Sequence, residues 1–338
     1  MRHMVAPLPA EFTGLIDRFG RKITYARLSI TDRCDLRCIY CVSEGMRFLP
    51  RNQLLTLEEI ARIGRCLTEL GVTRLRITGG EPLIRRNAIW LFEQLGALSA
   101  LHDLSLTTNG TQLVRDAFAL KAAGVTRVNI SLDSLQPARF QRLTRVGTLS
   151  KTLNGITAAI RAGFQRIKLN SVILRHHNHD EVLDLARFAI NHGVDISFIE
   201  EMPLGLNSSR CATYYSSDAI RHDLNQVFEL IPTAERSGGP ASYYCIAGTN
   251  SRIGFISPYS HNFCADCNRI RMTAAGGLLP CLGQAQSIDL RRVIRANPLD
   301  DQRVKSAIYA AVMLKPLGHE FTHAVTSTLT RCMNMTGG

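Results

Sequence analysis

Aromatic side chains make up only 7% of this 338-residue chain, with a single tryptophan. Few of them interleave with basic residues, so the stacking platforms that hold single-stranded nucleic acid are not expected. No long uninterrupted apolar run occurs, which predicts against a membrane span. Residues 1–12 hold two prolines and Glu11 and lack the apolar stretch of a secretory signal, so the expectation is a cytoplasmic protein. Two signatures of nucleotide chemistry are also missing. There is no Gly-x-Gly-x-x-Gly turn and no P-loop, so neither hydride transfer nor ordinary nucleotide hydrolysis is suggested. Short-period repeats and long low-complexity tracts are lacking as well. Acid is in deficit, with 28 Asp and Glu against 40 Lys and Arg, for a net charge of +12. That excess suits nucleic acid, an anionic surface or a small polyphosphate, and its spread along the chain argues least for a disordered nucleic-acid arm.

What is present describes a chain able to build a sizeable core. Apolar residues reach 45% and charged residues 20%, and the length allows one large barrel or two ordinary domains. Short β-branched runs at 25–30, 73–78, 104–107, 127–132, 166–174 and 194–199 read as six strands. Helical spacing at 56–70, 88–98, 113–123, 153–162 and 180–192 falls between them. Gly71, Gly124, Gly163 and Gly193 each follow a helical pattern, where a left-handed terminal residue is easiest for glycine. The alternation predicts an α/β fold with a parallel sheet, either a partial (β/α)6 TIM-like barrel or an open doubly wound sheet, with ligands at the carboxyl ends of the strands. After about Gly205 the pattern lapses. The expected division is an N-terminal extension (1–22), a barrel core (23–205) and a smaller C-terminal region (206–338).

Ten cysteines in a chain of this kind suggest metal or redox chemistry rather than disulfides. Cys34, Cys38 and Cys41 form one trio, on the loop after the first strand. Three thiolates can hold three irons of a four-iron cluster and leave the fourth free for a small chelating molecule. Zinc remains open on spacing alone, although zinc sites usually repeat a two-residue gap and the gaps here are three and then two. Cys264, Cys267 and Cys281 form a second trio. His261 could complete a Cys3His zinc site there, and spacing leaves zinc and iron–sulfur even. Arg269 and Arg271, in strand alternation just beyond Cys267, would face an anion together. The turn Thr78-Gly79-Gly80-Glu81-Pro82, at the end of the second strand, lets backbone approach a ligand closely, or is an ordinary βα turn.

The first trio together with the Gly-Gly-Glu-Pro turn resembles the radical S-adenosylmethionine superfamily. Further markers run along nearly the whole chain: Arg27, Arg76, Thr107-Thr108-Asn109-Gly110, Ser131-Leu132-Asp133-Ser134, Lys168-Leu169-Asn170, Phe198-Ile199-Glu200, Met202 and Gly337-Gly338. In that order they are similar to the GTP 3′,8-cyclase family of molybdenum cofactor biosynthesis. The resemblance implies two [4Fe-4S] clusters, one at each end of the barrel, held by the two cysteine trios. It implies S-adenosylmethionine bound by Tyr40, Gly80, Asn109, Ser131 and Met202, and GTP bound by Arg27, Arg76, Thr107, Lys168, Arg269 and Arg271. A 5′-deoxyadenosyl radical would remove the 3′ hydrogen of GTP, and the ribose radical would attack carbon 8 of guanine. The second cluster would take the guanine. The implied partners are an electron donor and the cyclic pyranopterin monophosphate synthase that uses the product, with a homodimer possible and no membrane or nucleic acid involved. One departure stands out: many relatives carry arginine where this chain has Ser197, which puts a phosphate or ribose contact in doubt. The other readings are a two-cluster radical enzyme acting on a peptide, whose auxiliary cysteine set would be larger, and a basic zinc-binding nucleic-acid protein.

Overall fold

The computed structural model describes residues 12–42, 48–202, 210–235, 238–261, 263–319 and 333–337. Gly338 and Cys332 lie outside the described residues. Strand and helix alternate through β1 (Tyr25–Ser29), α1 (Leu57–Glu69), β2 (Arg74–Thr78), α2 (Ala88–Gly96), β3 (Asp103–Thr108), α3 (Leu113–Ala122), β4 (Arg127–Ser131), α4 (Pro137–Thr144), α5 (Leu149–Ala162), β5 (Arg166–Ile173), α6 (Val182–Asn191) and β6 (Asp195–Glu200). Then follow α7 (Arg210–Thr213), α8 (Ser217–Asn225), β7 (Leu230–Thr233), β8 (Ser242–Ile246), β9 (Arg252–Ile256), β10 (Arg269–Met272), β11 (Gly277–Leu279), β12 (Ile288–Asp289), α9 (Leu290–Ala296), α10 (Asp301–Met313) and α11 (Met333–Thr336). Local chemistry sets the ends of these elements. Thr56 and Glu59 form a reciprocal capping box at the start of α1, with bonds of 3.1 and 2.8 Å. All four glycines after the crossover helices adopt positive φ, from +65° at Gly193 to +93° at Gly71.

The strands form one sheet in the order β12-β11-β10-β1-β2-β3-β4-β5-β6-β9-β8-β7. From β1 to β6 every neighbouring pair is parallel. The C-terminal strands make no sheet of their own. β10 adds parallel to the free edge of β1, and β9 adds parallel to β6, so the chain's last third extends both edges of the central six strands. A single cavity is lined from β10 through β1–β6 to β9. Eight strands about 4.8 Å apart would spread over roughly 34 Å if flat, so the sheet must curl into a partial barrel to face one cavity.

Alternation along each strand sorts the side chains by polarity. Leu28, Leu75, Leu106, Val128, Leu169 and Ile196 are buried and join the main core with residues such as Ile63 and Leu67 of α1 and Leu91 of α2. Arg27, Arg76, Thr107, Asn129 and Lys168 line the cavity instead. The apolar core therefore lies between sheet and helices, and the barrel interior is polar.

Candidate active site

The loop bearing Cys34, Cys38 and Cys41 leaves the carboxyl end of β1 and is anchored by backbone. Arg37 and Ile39 donate to the carbonyls of Thr144 and Leu143 at the end of α4, both at 3.0 Å, and the amides of Cys41 and Val42 donate to the Cys38 carbonyl. Gly79 and Gly80 dock against the residues that lead into this loop. A Cβ at Gly80 would meet the Arg33 carbonyl oxygen at 2.3 Å, and one at Gly79 would meet that of Thr31 at 2.6 Å, so only glycine permits this approach. The buried Glu81 carboxyl then accepts from Leu83 N, Thr108 Oγ1 and Asn109 N. Burial outweighs these bonds and pushes its pKa up to about 7. Asn109 in turn donates to Asp35 at 2.7 Å and points its Nδ2 at Cys34 Sγ, 3.8 Å away. Tyr40 donates to Asp133 at 2.7 Å, and burial raises the Asp133 carboxyl to about 6. Ser131 and Met202 line the same cavity.

Deeper in the barrel the lining is cationic. Arg271, Arg27 and Arg76 are lateral neighbours in register on β10, β1 and β2. Arg269 sits two residues before Arg271, and Lys168 enters from β5, its Nζ 3.2 Å from the Tyr243 hydroxyl. Arg27, Arg76 and Lys168 are only 7%, 6% and 9% exposed. Among the described residues no carboxylate pairs with any of the five. Burial accordingly lowers Arg27 to about 10 and also lowers Lys168 and Arg271. Tyr25 registers the resulting field: burial would raise its phenol, yet Arg76, Arg27 and Arg269 bring it down to about 7. Around this patch Thr107 Oγ1, Asn129 Nδ2, Asn170 Oδ1 and Arg27 Nε are buried without a hydrogen-bond partner. Buried cations and orphaned polar atoms are costly in isolation, so the cavity is built for a polar anion. Arg271 donates to the Gly337 carbonyl, which brings the chain's tail to this patch.

The second trio lies at the opposite end of the strands. Cys264 and Cys267 precede β10, which runs parallel to β1, and Cys281 follows the antiparallel β11 back to that same end. About 17 Å, the length of five extended residues, separates the two ends of β1. Both trios border the one cavity. Within each trio the thiols sense one another: burial, then Asp133, Cys41 and Cys34, raise Cys38, and burial, with smaller contributions from Cys267 and Cys264, raises Cys281. Burial also opposes ionisation of Cys267, but Arg269 and Lys315 outweigh it and bring the thiol down to about 7. Among the described residues no three His, Cys, Asp or Glu side chains converge closely enough to hold one metal ion. A four-iron cluster makes a different demand, because each thiolate binds its own corner and the sulfurs need not meet at a point. His261 is turned away from the trio, 63% exposed and 3.1 Å from Asp218, so the Cys3His arrangement is not formed.

The chain matches the model of the radical SAM superfamily over residues 28–189 and that of the molybdenum cofactor synthesis C region over 194–321. A protein of Saccharophagus degradans named GTP 3′,8-cyclase is 53% identical over 326 residues, covering 96% of this chain and 98% of the relative. The Pseudomonas aeruginosa protein named GTP 3′,8-cyclase 1 is 53% identical over 328 residues, covering 96% of this chain and all of the relative. The chain belongs to the GTP 3′,8-cyclase family. Among solved structures, Streptococcus suis SuiB bound to S-adenosylmethionine superposes with a TM-score of 0.58 at 15% identity, covering 86% of this chain and 68% of that one, which supports the fold alone. No helix among the described residues is long and apolar enough to cross a membrane.

The cavity thus gathers every site residue expected from the sequence: Tyr40, Gly80, Asn109, Ser131, Met202, Arg27, Arg76, Thr107, Lys168, Arg269, Arg271 and all six trio cysteines. It also contains residues that sequence reasoning missed as site members. Asn129 and Asn170 sit on inward positions of β4 and β5, where a polar residue at alternate places in an otherwise apolar strand was the available signal. Lys315, against Cys267, carried no motif, nor did Tyr243, which contacts Lys168 without itself lining the cavity. Ser197 is buried with its Oγ unpartnered and packs against Gly254, where a Cβ would meet that oxygen at 2.6 Å.

Proposed function

We propose that this chain converts GTP to 3′,8-cyclo-7,8-dihydro-GTP with S-adenosylmethionine, the first step of molybdenum cofactor biosynthesis. The observation that carries this reading is the row of buried and half-buried cations between two thiol trios, none of them paired with a carboxylate among the described residues. A nucleoside triphosphate supplies the missing anionic charge, and paired guanidinium groups suit phosphate oxygens. Cys34, Cys38 and Cys41 would hold one four-iron cluster, and Cys264, Cys267 and Cys281 a second. When bound, a cluster with one open iron supplies the electron that breaks a carbon–sulfur bond of S-adenosylmethionine.

The protein's own part is positioning. Gly80 opens backbone to the methionine end of S-adenosylmethionine, and Tyr40, Asn109, Ser131 and Met202 hold the remainder. Glu81 fixes Asn109 by bonding its amide. Arg27, Arg76, Lys168, Arg269 and Arg271 take the triphosphate, and Thr107 contributes its unpartnered hydroxyl. Because these groups stand on strands in fixed register, they hold the triphosphate in one place, and so fix the nucleoside for a single hydrogen transfer followed by ring closure. Ser197 does not border the cavity and brings no charge to a phosphate there. The chemistry further calls for an external one-electron donor and a synthase that consumes the product.

The test is anaerobic incubation of the reconstituted protein with reductant, S-adenosylmethionine and each of the four nucleoside triphosphates. The expected result is 5′-deoxyadenosine together with an isomer of GTP, equal in mass but separable by chromatography, and no product from the other three. Deoxyadenosine release that is indifferent to GTP would defeat the proposal.

A further inference from the structure

Lys315 follows α10 and is 2% exposed. Its Nζ donates to Cys267 Sγ at 3.3 Å, to the Arg269 carbonyl at 2.8 Å and to the Pro280 carbonyl at 2.8 Å. An amino group of this kind offers up to three N–H donors, and three acceptors surround this nitrogen. The three acceptors lie on both stretches that carry the second trio. Cys267 lies in the loop entering β10 and Arg269 is the first residue of that strand, and Pro280 immediately precedes Cys281. The neighbouring backbone completes the arrangement. Arg21, paired with Asp17 at 2.6 Å, donates to the Cys264 carbonyl at 2.7 Å and to those of Pro316 and Leu317. Both stretches are therefore tied to the segment 315–317, the first at Cys264 and Cys267 and the second beside Cys281.

We propose that Lys315 is a positioning residue for the second cluster, drawing its two ligand-bearing stretches together and stabilising the reduced cluster through an N–H···S bond and a fixed positive charge on Cys267. This rests on reading the second trio as an iron–sulfur site. Hydrogen bonds and charge at a ligating sulfur set how readily such a cluster accepts an electron, and groups behind the ligands govern its retention. Its effect is exerted through Cys267.

The experiment compares the full-length reconstituted protein with Lys315→Gln, Lys315→Met and Lys315→Arg by iron and sulfide analysis and by potentiometric titration followed by electron paramagnetic resonance. The second-cluster signal is assigned by its loss in Cys264→Ala. The wild type should hold about eight irons per chain, the content of two four-iron clusters. In Lys315→Gln the reduction equilibrium of the second cluster should fall about tenfold, a shift of about 59 mV to lower potential for one electron, while the first cluster stays in place. Lys315→Arg should restore part of that shift. A Gln variant with full iron and both potentials unmoved overturns the proposal. Should Lys315→Met or Lys315→Gln lose the second cluster outright, retention in Lys315→Arg upholds the role of the cation, and equal loss in all three variants assigns the effect to packing and overturns it. Four irons in the wild type would instead defeat the two-cluster reading on which the proposal stands.

Discussion

Glu81 offers a direct test of how this site is held before any ligand arrives. Its carboxyl is fully buried and accepts from Leu83 N at 3.0 Å, from Thr108 Oγ1 at 2.9 and 3.0 Å and from Asn109 N at 2.7 Å, yet its pKa is raised from 4.5 to about 7 because burial outweighs those bonds. Between pH 4.5 and about 7 the folded chain keeps a proton that the unfolded chain has lost, so this group's contribution to stability falls as pH rises and levels off above 7. At 1.36 kcal/mol per pH unit the loss across the window is about 3 kcal/mol. Glu81→Gln imitates the protonated acid and does not titrate, so its stability should lack this fall. Near the lower end of the window the two proteins should be similar, since neither then offers two full acceptors. At pH 8 the variant should be more stable than wild type by about 3 kcal/mol. Urea unfolding of the reduced apoproteins across this range measures the difference. Parallel curves for variant and wild type would refute the reasoning, because they would mean that the hydrogen bonds already compensate the buried charge.

Arg269→Ala and Arg271→Ala should each weaken GTP binding by roughly tenfold or more, the worth of about 1.5–3 kcal/mol for a charged hydrogen bond, while cleavage of S-adenosylmethionine stays measurable; unchanged GTP affinity in both counts heavily against the assignment. Gly337→Ala should lower turnover of GTP without moving the melting temperature, because a Cβ there would sit 2.1 Å from Thr78 Cγ2 at a φ of +74° and would push the tail from Arg271; turnover equal to wild type would remove the tail from the site. Asp301→Asn should cost about 0.5–1 kcal/mol at neutral pH, the scale of a partly exposed ion pair. Burial works against the Asp301 charge, but Arg62 and Arg65 outweigh it and hold its pKa down, so this contribution is present above the ordinary aspartate range and fades as pH falls through the lowered value. Denaturation curves of wild type and variant should converge in acid, and a constant gap would contradict the pairing.

Most of the barrel was legible because its signals are local. The six strand runs fall within a residue or two of β1–β6, since each alternates or runs apolar between glycine-capped helices. α4 escaped notice because its apolar content is carried mainly by Phe140 and Leu143 among Arg139, Gln141 and Arg142, too little to set a period. The start of α5 at Leu149, earlier than the expected 153, was hidden by Ser150 and Lys151. β11 and β12 have three and two residues and β7 contains Pro232, so alternation has no length in which to register. Pairing of Tyr25 with Arg269 and of Ile196 with Ile253 is a property of the folded sheet, and no local pattern announces it. The cysteine trios and the Gly-Gly-Glu-Pro turn were readable for the opposite reason: their chemistry depends on spacing within a few residues.

The edge pairing of β10 on β1 explains why the two halves of the site depend on each other. The central six strands supply Arg27, Arg76 and Lys168, and the first trio follows the first of them. They lack Arg269 and Arg271, and they lack the second trio. Adding one parallel strand at the β1 edge supplies all of these at once, in a register that sets Arg271 beside Arg27. The cost is a set of unpaired cations crowded into a buried interior, which lowers the pKa of Arg27, Lys168 and Arg271 through desolvation. Such an arrangement is disfavoured until an anion enters. Triphosphate binding and the pairing of β10 with β1 should therefore stabilise each other by the same factor.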